Sequence, residues 1–170
     1  RTLRGNMELA LKLARRAAAP EKIDTLIRLV GLDGFAEVRP AALSGGMRQR
    51  AAIARAMVTE PVLLLLDEPF GAVDELTRRQ LAEDLSAIWE SRGTTTLLVT
   101  HSVSEAVMLA DRILVFSARP ARLVEDIAVD LPRPRHGSQT LDPAFLSLVE
   151  RVSAALVAGV AQAGRPLAAQ

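Results

Sequence analysis

Two adjacent carboxylates, Asp67 and Glu68, close the apolar run Val62-Leu63-Leu64-Leu65-Leu66. A run without polar alternation reads as a strand buried on both faces of a parallel sheet, and ligands bind beyond the carboxyl ends of such strands. A pair of acids at that mouth suits the hydrolysis of a bound nucleotide. Taken alone, the pair reads equally well as a strand end with two solvated acids.

A second constellation precedes it. Leu43-Ser44-Gly45-Gly46-Met47-Arg48-Gln49-Arg50 places a hydroxyl and two glycines at the opening of a helix. Backbone N–H groups, the hydroxyl and the positive end of the helix dipole then face one point, which suits a phosphate. The plain alternative is an ordinary N-cap at Ser44. His101 follows Thr94 to Thr100, which reads as another buried strand, and falls at a strand end as well. By itself it reads as a satisfied strand-end histidine.

The elements that must position these groups are legible as periodicities. Asn6 to about Arg16 is helical, and Pro20 opens a second helix with Ile23, Leu26, Ile27 and Val30 inward and Gly31 as its stop. Met47, Ala51, Ala54 and Val58 line one face of the helix that Ser44 opens, and Glu60-Pro61 ends it. After Pro69 and Gly71 comes a long helix with Leu81, Leu85, Ile88 and Trp89 inward and Gly93 as its stop. Ser102-Val103-Ser104-Glu105 has the capping-box form and starts a helix to about Ala110. Ile113 to Phe116 is a third strand, Arg122 to Val129 a strand or hairpin, and Leu131-Pro132-Arg133-Pro134-Arg135 an extended linker. Asp142-Pro143 begins a last helix with Phe145, Leu148, Val149, Val152 and Leu156 inward, and the residues after Gly159 form a frayed tail. Strand, helix, strand, helix, strand predicts parallel strands joined by crossovers, an α/β fold. The expected division is a helical part over 1–60, an α/β core over 61–130, and linker, helix and tail over 131–170.

Composition narrows the classes. The 170 residues are 49% hydrophobic and 24% charged, enough for one ordinary core. With 21 basic and 20 acidic residues the net charge is +1, so no overall field draws the chain to nucleic acid. Zero cysteines exclude disulfides and thiolate metal sites. No run near the roughly 20 apolar residues of a membrane-spanning helix is read from the sequence, Ala154 to Ala161 being small and interrupted.

Four segments in this order carry a specific resemblance. Leu43-Ser44-Gly45-Gly46 is similar to the ABC signature, and Leu63 to Pro69 to its Walker B motif; Gly71-Ala72-Val73-Asp74 resembles the D-loop and Thr100-His101 the switch histidine. The chain is identified as resembling the ATP-binding subunit of an ABC transporter from about Asn6 to Phe116. Ser117 to Arg122 and Asp130 to Arg135 are similar to the nitrate, sulfonate and taurine importer group. The pattern departs at Ser102, where aspartate is common, and at Val73, where leucine is frequent.

The resemblance implies a partial P-loop NTPase-type parallel sheet with helices on both faces and a helical subdomain ahead of it. It implies ATP and Mg²⁺ as cofactors. Glu68 would be the general base, Asp67 would hold Mg²⁺ through a water, and His101 would contact the γ-phosphate. Ser44, Gly45 and Gly46 would close on an ATP held by a second ATPase subunit, Asp74 would lie across that dimer interface, and Gln49 and Arg50 would support the signature helix. Further partners implied are transmembrane permease subunits and, indirectly, a periplasmic solute-binding protein, with the chain on the cytoplasmic face of the cell membrane and no nucleic acid bound.

A phosphate-binding loop requires G-x-x-x-x-G-K-[ST], and the two lysines, Lys12 and Lys22, follow Leu11 and Glu21. No glutamine precedes Gln49 to serve as a Q-loop. The expectation is therefore of an N-terminally truncated copy whose Walker A strand, loop and helix lie upstream. Such a copy would be inactive and prone to associate when alone; the alternative is a non-catalytic half-site donor, or a relic, that does not hydrolyse ATP itself.

Overall fold

The computed structural model describes residues 1–163, without the side chains of 87, 88, 90–92, 162 and 163. The inward placement expected of Ile88 and the last part of the expected tail fall outside the described residues. The chain forms two compact units, Arg1–Val99 and Thr100–Gln170.

The first unit begins with helices α1 (Leu3–Leu13) and α2 (Pro20–Leu29). Thr2 caps α1, its hydroxyl accepting from the Gly5 amide at 3.1 Å, while Pro20 opens α2 with its φ already preset. Leu3, Met7 and Leu11 on α1 and Ile23, Leu26 and Ile27 on α2 are buried, following the 3.6-residue period. Both helices pack on α3 (Gly45–Met57), which buries Ala51, Ile53, Ala54 and Met57. Each large aliphatic side chain withdrawn from water in this way contributes about 1.5–3 kcal/mol. Gly31 ends α2 in the left-handed region at φ 64°, as expected of that glycine.

Strand β1 (Leu63–Asp67) leads through the turn at Pro69–Gly71 into α4 (Glu75–Arg92) and then β2 (Thr95–Val99). The two strands pair in parallel, Leu63 opposite Thr95 and Asp67 opposite Val99. Leu81, Leu85 and Trp89 on α4 are buried, and Gly93 stops the helix at φ 61°. The expectation that β1 is buried on both faces is corrected. Leu64 and Leu66 are buried, whereas Leu63 and Leu65 are 54% and 65% exposed, as Leu97 and Val99 on β2 are at 57% and 52%. Among the described residues of this unit, one face of the two-stranded sheet rests on the core and the other is exposed.

The second unit holds α5 (Val103–Leu109), β3 (Arg112–Phe116), β4 (Leu123–Ala128) and α6 (Pro143–Ala163). Here a second correction applies: the third strand does not extend a parallel sheet. β3 and β4 form an antiparallel pair of their own, Ile113 opposite Ile127, because the turn over 117–122 is short enough for a hairpin but not for a crossover. α6 packs on this hairpin and on α5 through Phe145, Val152 and Ala155. Leu156, expected inward, is 39% exposed, and Leu148 and Val149 are half-buried. The helix runs past Gly159 to Ala163, beyond the point where fraying was expected. Over Pro143–Ala161 it is also long and apolar enough to cross a membrane by length and composition, which corrects the sequence reading. Counting strictly uninterrupted apolar runs missed this, since Ser147, Glu150, Arg151 and Ser153 divide the span without reversing its mean hydropathy.

Candidate functional site

Within the first unit, the opening of α3 and the turn after β1 form one interlocked structure. Ser44 is the N-cap of α3; its hydroxyl accepts from the Met47 amide at 3.2 Å and its carbonyl from Arg48 N at 2.9 Å. Gly45 and Gly46 occupy the first turn, where the helix has no carbonyl four residues back for their amides. Arg48 folds back so that its Nη1 donates to the Leu43 carbonyl at 2.6 Å.

Gly46 meets the turn directly. A Cβ placed there would lie 2.6 Å from the Ala72 carbonyl oxygen, so only glycine lets the helix opening approach this backbone. At Gly45 the nearest atom to such a Cβ would be Arg48 Nη2 at 4.0 Å. The same two glycines thus differ: one is required by packing, the other is not.

Gln49, one turn further along α3, ties the contact together. Its Nε2 donates to the Glu68 carbonyl in a short hydrogen bond, and its Oε1 accepts from the Ala72 amide at 3.0 Å. A side-chain amide bridging two backbone groups holds the turn at both ends, each bond contributing about 1 kcal/mol net. Arg50 reaches the other way, its Nη1 donating to the Val30 and Gly31 carbonyls at 3.1 and 3.3 Å, so the end of α2 is also fastened to α3.

Asp67 is exposed at the last position of β1. Glu68 is half-buried and lies in the left-handed region at φ 48°, where a side chain costs of order 1 kcal/mol. Its conformation is over-determined by its neighbours. Its amide donates to the Val99 carbonyl at 2.9 Å, and its carbonyl accepts from Gly71 N at 3.2 Å besides Gln49. The carboxylate after β1 therefore stands on a strained, tightly tied turn.

Asp74 is exposed and caps α4, its Oδ1 accepting from the Thr77 amide at 3.0 Å. Those bonds from Thr77, with a smaller contribution from the Arg50 charge, hold its carboxyl below the ordinary carboxylate range. Arg78, one helical turn along, donates to the Val73 carbonyl at 2.9 Å.

His101 belongs to the second unit, exposed just ahead of α5. The residues on either side of it are anchored. Thr100 Oγ1 donates to Glu105 Oε2 at 2.6 Å and accepts from Ser102 N at 3.0 Å, while Ser102 caps α5 by accepting from Glu105 N at 3.3 Å. Ser102, the departure from the resembled pattern, does cap the helix as expected.

The structure thus brings Ser44, Gly45, Gly46, Gln49, Glu68 and the 71–74 segment together in one unit, with Asp67 at the adjoining strand end and His101 in the other unit. No group of three or more His, Asp or Glu among the described residues makes a protein chelate for a metal. A hard cation that keeps most of its waters and uses one carboxylate, as Mg²⁺ does, fits the exposed oxygens of Asp67. Sequence reading missed the left-handed Glu68, for which Glu-Pro-Phe-Gly gave only a turn signal. It also missed the role of Arg135, hidden in what reads as linker.

Residues 2–71 match the ABC transporter family pattern. A putative ATP-binding protein of Brucella abortus is 47% identical over 153 residues, 89% of this chain and 59% of that protein. The aliphatic sulfonates import ATP-binding protein SsuB of Bacillus licheniformis is 46% identical over 151 residues, 89% of this chain and 58% of its own length. A bacterial ABC transporter cassette solved as a dimer superimposes with TM-score 0.68 and 29% identity over 78% of this chain and 58% of that one. The chain spans about three fifths of the length of these curated relatives.

Proposed function

We propose, from the premise that this chain is a homologue of ABC transporter ATP-binding subunits in sequence and in fold, that it serves the ATP hydrolysis that drives import of a small anion. The solute class is that of nitrate, sulfonates or taurine. The observation that supports the reading is the interlock of Ser44–Gly46, Gln49 and Glu68, which ties the helix opening that would close on the second subunit's ATP to the carboxylate that would act as base. Similarity to an aliphatic sulfonate importer subunit over nearly nine tenths of the chain supports the solute class.

Glu68 accepts the proton of the attacking water, and its strained backbone spares it reorganisation during the reaction. Asp67 would hold Mg²⁺, which would neutralise charge on the phosphates. Bound MgATP supplies the phosphoanhydride bond to be cleaved. His101 contacts the γ-phosphate, steadied by the anchored Thr100 and Ser102. Ser44 with the amides of Gly45 and Gly46 closes on the γ-phosphate of an ATP held by a second ATPase subunit, at the positive end of α3. Asp74 faces that subunit. The permease subunits receive the helical segment from about Asn6 to Arg39, the solute-binding protein acts through them, and the work takes place at the cytoplasmic face of the membrane.

The test is ATP turnover of the chain assembled with its permease, as the transported anion is varied. Turnover that rises with a sulfonate, taurine or nitrate is the expected result. Turnover indifferent to all three rejects the solute class.

A further inference from the structure

We propose that Arg135 is a positioning residue for His101, acting with Arg133 through helix α5. Arg135 sits in a Pro-rich stretch that reads as a linker, yet it is 3% exposed. A guanidinium cannot be deprotonated and is costly to bury without partners, so its surroundings must answer its donors. They do so at one place, the end of α5. Nη1 donates to the carbonyls of Val107 and Met108 at 3.3 Å each and of Ala110 at 2.6 Å. Nη2 donates to Val129 O at 3.1 Å and Leu131 O at 3.2 Å, and Asp111 lies 3.7 Å away.

Arg133 completes the arrangement, donating to Leu109 O at 2.8 Å and to Asp111 Oδ1 at 2.9 Å. Four consecutive carbonyls, 107 to 110, are thereby satisfied by two arginines. These are the groups a helix leaves without partners at its C-terminus, and the cations also meet the negative end of its dipole.

α5 is only 7 residues long. A helix that short does not persist on its own and takes its place from what holds its ends. Its C-terminal end is held by Arg135 and Arg133. Its N-terminal end is knitted to the backbone on both sides of His101 through Thr100, Ser102 and Glu105. α5 is then a short rigid strut, and releasing the arginine end frees the histidine end.

The inference rests on the reading of His101 as a phosphate contact, but its test needs no nucleotide. Amide hydrogen exchange is measured on the full chain carrying Arg135→Lys, with the His101 ring resonances recorded alongside. Lysine keeps the charge but cannot span the α5 carbonyls and Val129–Leu131 together. The expected result is exchange roughly tenfold faster at Ser102 and Glu105, with less than about threefold change at Val115 and Glu125 in the hairpin, and a broadened or shifted His101 ring signal. Equal acceleration at both places would show a general structural role and overturn the proposal, as would unchanged exchange at Ser102 and Glu105. If R135K does not fold, Arg133→Gln, which removes the bond to Leu109, is read by the same two comparisons. Separately, His101→Ala without loss of turnover in the transporter would reject the phosphate contact and leave the exchange result standing.

Discussion

Substituting alanine for each signature glycine in turn isolates the contact between α3 and the turn after β1. In Gly46→Ala the new Cβ would lie 2.6 Å from the Ala72 carbonyl oxygen, so backbone must retreat by about half an ångström. Overpacking of this kind costs about 1–3 kcal/mol. In Gly45→Ala the Cβ would have 4.0 Å to its nearest neighbour, an arginine tip, and meets no obstruction. Both variants gain the same reduction in unfolded-chain freedom, about 0.5–1 kcal/mol, which cancels in the comparison. G46A should therefore be less stable than G45A by about 1–3 kcal/mol, each kcal/mol lowering Tm by about 2–4 °C in a chain of this size. Urea and thermal unfolding followed by far-UV circular dichroism read the difference directly. Equal midpoints for the two variants would refute the close approach and, with it, the interlock on which the site is built.

Other consequences can be checked on the same preparation. Gln49→Ala removes the bridge between the Glu68 carbonyl and the Ala72 amide and should cost about 1–2 kcal/mol, with faster exchange at Ala72; unaltered exchange there would deny the bridge. Glu68→Gly relieves a left-handed residue that Glu68→Ala leaves strained, so E68G should be more stable than E68A by about 1 kcal/mol, as urea midpoints would show; equal midpoints would mean the φ of 48° carries no strain. Asp74 should titrate below the ordinary aspartate value of about 3.9. Because its folded pKa is depressed, its cap on α4 contributes above the unfolded pKa and is lost as pH falls through the folded one. An NMR titration of the Asp74 carboxyl gives the midpoint, and a value at or above the ordinary one contradicts the capping geometry.

Much of this arrangement was legible in the sequence, and for identifiable reasons. Ser44, Pro20, Gly31, Gly93 and Ser102 are local signals whose effect is settled within one helical turn, and each acts in the structure as read. The motif residues from Ser44 to Asp74 gather in one unit because Gln49 and Gly46 lie one turn apart on the helix that Ser44 opens, while His101 falls in the other. What sequence could not supply depended on pairing at a distance. The run Leu63–Leu66 says that a strand is apolar, not that something covers both faces. Ile113–Phe116 says strand, but whether it joins a parallel sheet or turns back on Leu123–Ala128 depends on the loop between them. Arg135 reads as linker because nothing local marks it; three of its partners are carbonyls 25 to 28 residues earlier.

The claim that Glu68 is the base of an ATP-hydrolysing subunit is tested most directly by Glu68→Gln, with ATP binding and phosphate release both measured in the assembled transporter. Gln at this position keeps the shape of the side chain and loses its ability to take a proton. Binding retained with release abolished is the predicted result. Phosphate release at the wild-type rate from E68Q would contradict it.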